Sequence, residues 1–290
     1  MEVKAEAPYM KSTETINEIR IKVICALIPS VMLSVIIFGF KPVISYIICV
    51  LACALTEIML DFFVLKTNKF DFDSILTGLI LSLTIPPYCP VYIAAFGGLF
   101  AIIIKKLLLE RFCKKLFNVS ALVRAIMFIV FGSLFKTFTP SVLTDFSSAK
   151  ESYIKMFFGV GGGYICACSV IAVVLGGIIL AALKIINPLI PILFMGSFSL
   201  MSFCLGNDGF SMLLSGAIPF AAVFMATDCA TSPLTLKGKA VFAVTGGILT
   251  ALIQILLPYS DAVFFAIIII NLLVRPIDKY IRTKPFGVLK

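Results

Sequence analysis

The sequence predicts an all-α integral membrane protein of about ten transmembrane helices, arranged as two inverted five-helix repeats with interrupted third and eighth spans. Three observations carry that prediction. Of the 290 residues, 61% are hydrophobic and only 13% charged, with a mean hydropathy of +1.13, far outside the range of a soluble domain. Apolar runs able to cross a hydrocarbon core of about 30 Å as helices follow one another from residue 21 to residue 277. Residues 92–105 also resemble residues 241–254, with Gly97-Gly98 falling on Gly246-Gly247, and Leu76-Thr77-Gly78 matches Leu214-Ser215-Gly216 ahead of them.

The spans read as 21–40, 43–65, 74–87, 90–105, 119–136, 160–183, 188–205, 209–227, 240–258 and 260–277. The third is short and stops at Pro86-Pro87, and the eighth carries Pro219 after Ser215-Gly216, which predicts a broken helix. The matched segments fall in the third and eighth and in the fourth and ninth spans, so the repeat is five spans long. An odd number of crossings inverts the second copy relative to the first. The organisation is then a cytoplasmic segment 1–20, one polytopic domain 21–278 (repeats 21–138 and 156–278) and a cytoplasmic tail 279–290.

Charge sets the orientation. With a cytoplasmic N-terminus, inside segments hold nineteen of the 24 Lys and Arg, the outside ones only Lys41, Lys136, Lys150 and Lys155, and Arg124 lies within a span. This positive-inside bias places both termini in the cytoplasm of a bacterial-type inner membrane, with the basic stretch Lys105 to Lys115 read as a cytoplasmic loop. The same distribution accounts for the net charge of +9 without any nucleic-acid partner. The mixed-charge first twenty residues carry no cleavable signal pattern.

With no histidine, neither a histidine metal site nor a histidine proton relay is available. The nine cysteines sit mostly in apolar runs as small buried hydrophobes, and the one close pair, Cys166 and Cys168, is a weak metal signal. No metal site and no catalytic set is expected. Polar groups inside spans are the functional candidates. Glu57 and Asp61 lie one turn apart on the second span, either as an ion or proton entry site or as a solvated helix end, and Arg124 is expected to balance one of them. In Phe224-Met225-Ala226-Thr227-Asp228-Cys229-Ala230-Thr231-Ser232-Pro233, hydroxyls surround an aspartate at the end of a broken span. Such a block either caps its own turn or cradles a cation or a flavin.

That block, after Ser215-Gly216 and before Lys237-Gly238, resembles the D subunit of the Rnf ion-translocating ferredoxin:NAD oxidoreductase complex, and more distantly the B subunit of the sodium-pumping NADH:quinone reductase. The likeness extends to Ser74-Ile75-Leu76-Thr77-Gly78 through Pro86-Pro87, to Phe117-Asn118, to residues 163–177 and to Tyr259-Ser260-Asp261 through Asn271 and Pro276-Ile277-Asp278. It implies a membrane subunit that couples electron transfer to sodium or proton movement beside other complex subunits, with Asn118, Thr227, Asp228, Thr231 and Ser232 as cofactor-binding candidates. Family members carry FMN on a threonine of an Asp-x-x-Ser-Gly-Ala-Thr motif. The corresponding loop here reads Asp145-Phe146-Ser147-Ser148-Ala149-Lys150-Glu151-Ser152, with Lys150 or Glu151 at the acceptor position and Ser152 one residue out of register. Neither of the first two can form the phosphoester, so covalent FMN is not expected; the chain either binds FMN or another flavin non-covalently or serves as scaffold for electron carriers on other subunits. Competing readings are a stand-alone small-solute transporter or channel and a purely structural assembly subunit.

Overall fold

The computed structural model describes residues 15–65, 72–113, 116–138, 157, 169–215, 217–257 and 261–281, and among these there is no strand. Helix α1 (Ile16–Phe38) opens on a capping box: Thr15 Oγ accepts from the Glu18 N–H, and Glu18 accepts from that of Thr15. The chain reverses at Gly39, in the positive-φ region that glycine adopts freely, into α2 (Lys41–Leu60), which runs on through a π-helical turn, Asp61–Leu65. Helix α3 (Phe72–Leu83) ends ahead of Pro86-Pro87, with the Thr84 hydroxyl donating back to the Leu81 carbonyl. Helix α4 (Val91–Ile103) continues as a π-helical stretch, Ile104–Cys113. Helix α5 (Val119–Phe138) kinks at Phe131, beside Gly132-Ser133.

Helix α6 (Val170–Ala182) is capped by Ser169 and is followed by α7 (Leu189–Cys204). The described residues of the eighth predicted span form α8 (Gly209–Ser215) and α9 (Ile218–Phe220), the latter extended by π-helical Ala221–Met225. Helices α10 (Leu236–Ile253), capped by Thr235, and α11 (Ala262–Tyr280) complete the chain. Among the described residues, four helices are long and apolar enough to cross a membrane: Ile16–Phe38, Lys41–Val64, Val91–Glu110 and Leu236–Ile253. Shorter apolar helices cover Phe72–Leu83, Val119–Phe135, Val170–Ala182 and Leu189–Cys204. The sixth predicted span is described only from residue 169, so Cys166 and Cys168 lie outside the described residues, as do loop 145–152, Gly216, residues 1–14 and tail residues 282–290.

One expectation is corrected. Lys105 onward is not a loop: the helix continues to Cys113, and Lys105 and Lys106 are buried. Leu107-Leu108-Leu109 favours helix, and both ammonium groups meet carboxylates of neighbouring helices, so neither charge has to leave the bundle.

The most extensive packing joins α2 to α4 and α7 to α10. Paired glycines make both crossings close: Gly98 lies on the Cys49 carbonyl and Ala52, and Gly247 on the Phe194 carbonyl and Ser197. Helix α1 packs on α6, and α5 on α11. The starts of α1, α3 and α5 meet the ends of α4, α6 and α9 around a common cavity. At the other end Tyr88 contacts Phe38 and Lys41, from the end of α1 and the start of α2. The described residues of 217–227 are all buried, making α9 the centre of the larger core cluster.

Gly98→Val and Gly247→Val should each lower the thermal unfolding midpoint of the detergent-purified protein, in line with overpacking costs of about 1–3 kcal/mol. Gly196→Ala, with open space around its Cβ, should not.

Candidate functional site

A cavity of about 380 Å³ opens at the end of the bundle where α1, α3 and α5 begin. Its walls are largely apolar, with Ile19, Val23, Leu76, Ile80, Val223 and Phe224 among them. Four of the five predicted cofactor-binding residues, Asn118, Thr227, Asp228 and Thr231, line it; Ser232 is buried in the same turn without reaching the cavity.

Their hydrogen bonds show how the wall is built. Asn118 Oδ1 accepts the Ala121 N–H at 3.2 Å, capping α5, while Nδ2 donates to the Met225 carbonyl at 3.2 Å and ties α5 to α9. The Thr227 hydroxyl donates to the Val223 carbonyl. Asp228 accepts from the Ala230 N–H through Oδ1 and from the Thr231 hydroxyl through Oδ2. The block caps its own turn, so these side chains shape the cavity with the bonds they make to their own segment.

Charge enters at the rim. Asp73 on α3 bridges Lys105 Nζ at 2.5 Å and Arg20 Nε at 3.5 Å, and all three side chains line the cavity. Cys229, also in the wall, has its thiol held above the ordinary value, first by burial and then by the neighbouring Asp228 charge.

Glu57 and Asp61 lie together outside this cavity, and Lys106 of the extended α4 joins them. Its Nζ is 3.1 Å from Glu57 Oε1 and 2.5 Å from Asp61 Oδ1. Both carboxylates are buried, Glu57 at 1% exposure, so they do not form a solvated helix end.

Arg124 balances neither of them, contrary to expectation. It is fully buried, with a terminal nitrogen 2.6 Å from Asp261 Oδ1 and Nε donating to the Thr84 carbonyl at 3.1 Å. Its guanidinium carbon lies 4.3 Å from the Phe135 ring centroid and 5.2 Å from that of Phe264. The reason is packing: α5 meets α3, α4 and α11, so the carboxylate within reach is the one at the start of α11, while Lys106 serves α2. Sequence reasoning missed Lys106, Asp73 and Asp261 as partners. For the lysine the signal was present, since Lys105-Lys106 stands between Ile102-Ile103-Ile104 and Leu107-Leu108-Leu109.

The sequence profile of the NQR2, RnfD, RnfE family matches residues 3–287, nearly the entire chain. The chain belongs to that family. It is 30% identical over 319 residues to the D subunit of the proton-translocating ferredoxin:NAD(+) oxidoreductase complex of Clostridium ljungdahlii, covering 98% of this chain and 95% of the relative. It is 26% identical over 303 residues to the D subunit of the Na(+)-translocating ferredoxin:NAD(+) oxidoreductase complex of Acetobacterium woodii (99% and 95%). It is 29% identical over 346 residues to the D subunit of the ion-translocating oxidoreductase complex of Actinobacillus succinogenes (97% and 96%). The resemblance read from the Phe224–Pro233 block therefore holds along the chain. For this NQR2, RnfD, RnfE family member, membrane-capable helices and family agree on a multi-pass membrane protein.

Two measurements test the geometry. Arg124→Met takes the guanidinium away from the buried Asp261 carboxylate and should destabilise the purified protein by about 3–5 kcal/mol, whereas Arg124→Met with Asp261→Leu should recover much of the loss. Recovery is read as the thermal midpoint. Because the thiolate is the nucleophile and the Cys229 thiol is raised, maleimide labelling of Cys229 should be slow at neutral pH and should still be climbing with pH where an ordinary thiol has levelled off. Mass spectrometry of the labelled peptide checks it.

Proposed function

We propose that this chain is the D subunit of an Rnf-type complex in the bacterial inner membrane, coupling electron transfer between ferredoxin and NAD to the translocation of sodium or protons. The observation that carries the reading is full-length similarity to three subunits of such complexes, at 26–30% identity. Its partners are then the other subunits of the complex and the surrounding lipid. A stand-alone transporter has no comparable support.

In this reading the chain crosses the membrane ten times as two inverted five-helix repeats with both termini cytoplasmic. Second-on-fourth packing in both halves supports it: α2 on α4 and α7 on α10, each through a Gly-Gly pair. So does the pairing of α1 with α6 and of α5 with α11, the first and last helices of each half.

The cavity is the place for a non-covalent flavin. Its volume and apolar walls suit a flat three-ring system; Arg20 and Lys105 are both engaged by Asp73, and Glu110 and Asp228 also line it, so the fit rests on shape and apolar contact. When bound, the flavin supplies the electron-transfer chemistry. The chain's own residues do the rest: α1, α3 and α9 exclude water, Asn118 fixes the mouth of α5 against α9, and the 227–231 turn sets the shape of the slot. A covalent FMN has no acceptor threonine in the 145–152 loop, which reads Ser147-Ser148-Ala149-Lys150-Glu151-Ser152.

The test is purification with the native partner subunits, followed by denaturing gels and assay of the acid-released supernatant. The band of this subunit should be dark under flavin excitation, and the supernatant should contain flavin. Ile19→Trp, which fills the cavity, should release far less flavin per complex than Ile28→Trp, on the exposed side of the same helix. A fluorescent band would overturn the non-covalent reading and make Ser152 the first residue to replace.

A further inference from the structure

We infer that the corner where α10 begins and α11 ends binds the headgroup of an anionic phospholipid through the ammonium groups of Lys237 and Lys279. The inference goes beyond the electron-transfer reading and needs only that the chain spans a membrane.

The site begins with the way the two helices meet. In the first turn of α10, a Cβ added to Gly238 would come within 3.1 Å of Ile277 and of Pro233. About two turns further on, a Cβ on Gly246 would meet Ile270. Contacts that advance along α10 while they retreat along α11 make the pair antiparallel, so the first turn of one lies against the last turn of the other. The Leu234 N–H donates to Asp278 Oδ1 at 3.0 Å and fastens the same corner. Lys237 and Lys279 flank it, and both are exposed.

The balance of charge there is strongly positive. Residues 234–241 and 272–280 hold Lys237, Lys239, Arg275 and Lys279 against a single carboxylate, Asp278, which already accepts from Leu234. Among the described residues neither Lys237 nor Lys279 meets a carboxylate; the Lys279 ammonium lies 5.9 Å from the Tyr280 ring centroid. Lys239 is half-buried and lies near the Cys229 thiol, on the cavity side of the corner. The two exposed lysines are therefore the ones available to an anion from outside the bundle.

What lies beside them selects the anion. Helix α10 is long and apolar enough to cross a membrane, and Lys237 is its second residue. Along the same two helices Val241, Ile269, Leu272 and Leu273 are exposed, and Leu236 stands next to the lysine at 63% exposure. Cations at the end of an exposed apolar face match a molecule that carries phosphate at one end and hydrocarbon at the other. A soluble acidic partner would meet the cations and leave the apolar face uncovered. A zwitterionic lipid brings its own cation, which competes with the lysines for the phosphate.

Native mass spectrometry of the full chain, purified in detergent and freed of lipid, tests the inference with phosphatidylglycerol and phosphatidylcholine of the same acyl chains. One phosphatidylglycerol should bind at least about tenfold more tightly than phosphatidylcholine. Lys237→Gln and Lys279→Gln should each weaken it by about fivefold, and together by about twentyfold or more. Lys184→Gln, an exposed lysine in the turn between α6 and α7, should leave it unchanged. Since the replaced side chains are exposed, the double variant should keep the wild-type thermal midpoint in lipid-free detergent, which separates lost binding from lost fold. Equal binding of the two lipids, or a double variant that binds phosphatidylglycerol as wild type does, would overturn the inference. So would displacement of the lipid by millimolar inorganic phosphate, which would reduce the site to one for free anions. In the assembled complex the lipid should be retained; its absence there, with Lys237 cross-linked to another subunit by an amine-reactive reagent, would give the surface to a protein partner and overturn the assignment to lipid.

Discussion

A guanidinium that cannot lose its proton, enclosed in an apolar bundle, constrains much of this structure. Arg124 is fully buried, and arginine stays charged under any condition in which the protein is folded. Its environment therefore has to supply counter-charge, hydrogen-bond acceptors and polarisable surface from whatever elements lie nearby. Those elements are the irregular ones. Helix α3 ends at Leu83, and the Thr84 carbonyl just beyond it accepts from Arg124 Nε. Helix α5 bends at Phe131, and Phe135, beyond the bend, lies over the same guanidinium. Helix α11 begins where Asp261 brings its carboxylate to the pair. A helix end, a kink and a helix start, each ordinary alone, thus converge on one charge.

The opposite problem is solved at the end of the bundle where α4 runs on past Ile103. There the carboxylates come from α2 and α3 and the cations from α4, and pairing keeps Lys105 and Lys106 buried. The pairs differ in one respect. Asp73 meets two cations, whereas Glu57 shares its cation with Asp61 and keeps one oxygen without a donor among the described residues. The α4 extension joins the two clusters through adjacent residues, Lys105 to Asp73 at the cavity and Lys106 to Glu57 and Asp61 beside it.

These contrasts explain what could be read from the sequence. Helices and their ends were legible because apolar runs and prolines are local signals: Pro86-Pro87 follows the end of α3, and Pro219 stands in the first turn of α9. The Gly97-Gly98 and Gly246-Gly247 match pointed to real close contacts. The cavity residues Asn118, Thr227, Asp228 and Thr231 were legible as polar groups at helix ends and through family resemblance. Partners were not legible. Counting positive charges by segment treats every lysine near a span end as solvent-facing, which fails for Lys105 and Lys106 because their carboxylates arrive from other helices. Arg124 was given to α2 because that helix carries two carboxylates within an apolar span; the choice between α2 and α11 is made by helix packing, which no local pattern encodes.

The hydrogen bonds around the cavity show what holds its wall in shape. Asn118 and Thr227 bond to the backbone of their own segments or of α9, and Asp228 accepts from the Ala230 N–H and the Thr231 hydroxyl of its own turn, so contacts within the chain shape the slot. The glycine contacts between α2 and α4 and between α7 and α10, and the Arg124–Asp261 pair, join residues of the described helices. On the reading proposed above, substitution of the acceptor threonine removes one covalent bond and leaves the residues that make these contacts unchanged. On that same reading, the charge pairs that organise the bundle, Arg124 with Asp261 and Lys106 with Glu57 and Asp61, are held by residues far along the chain from the attachment loop.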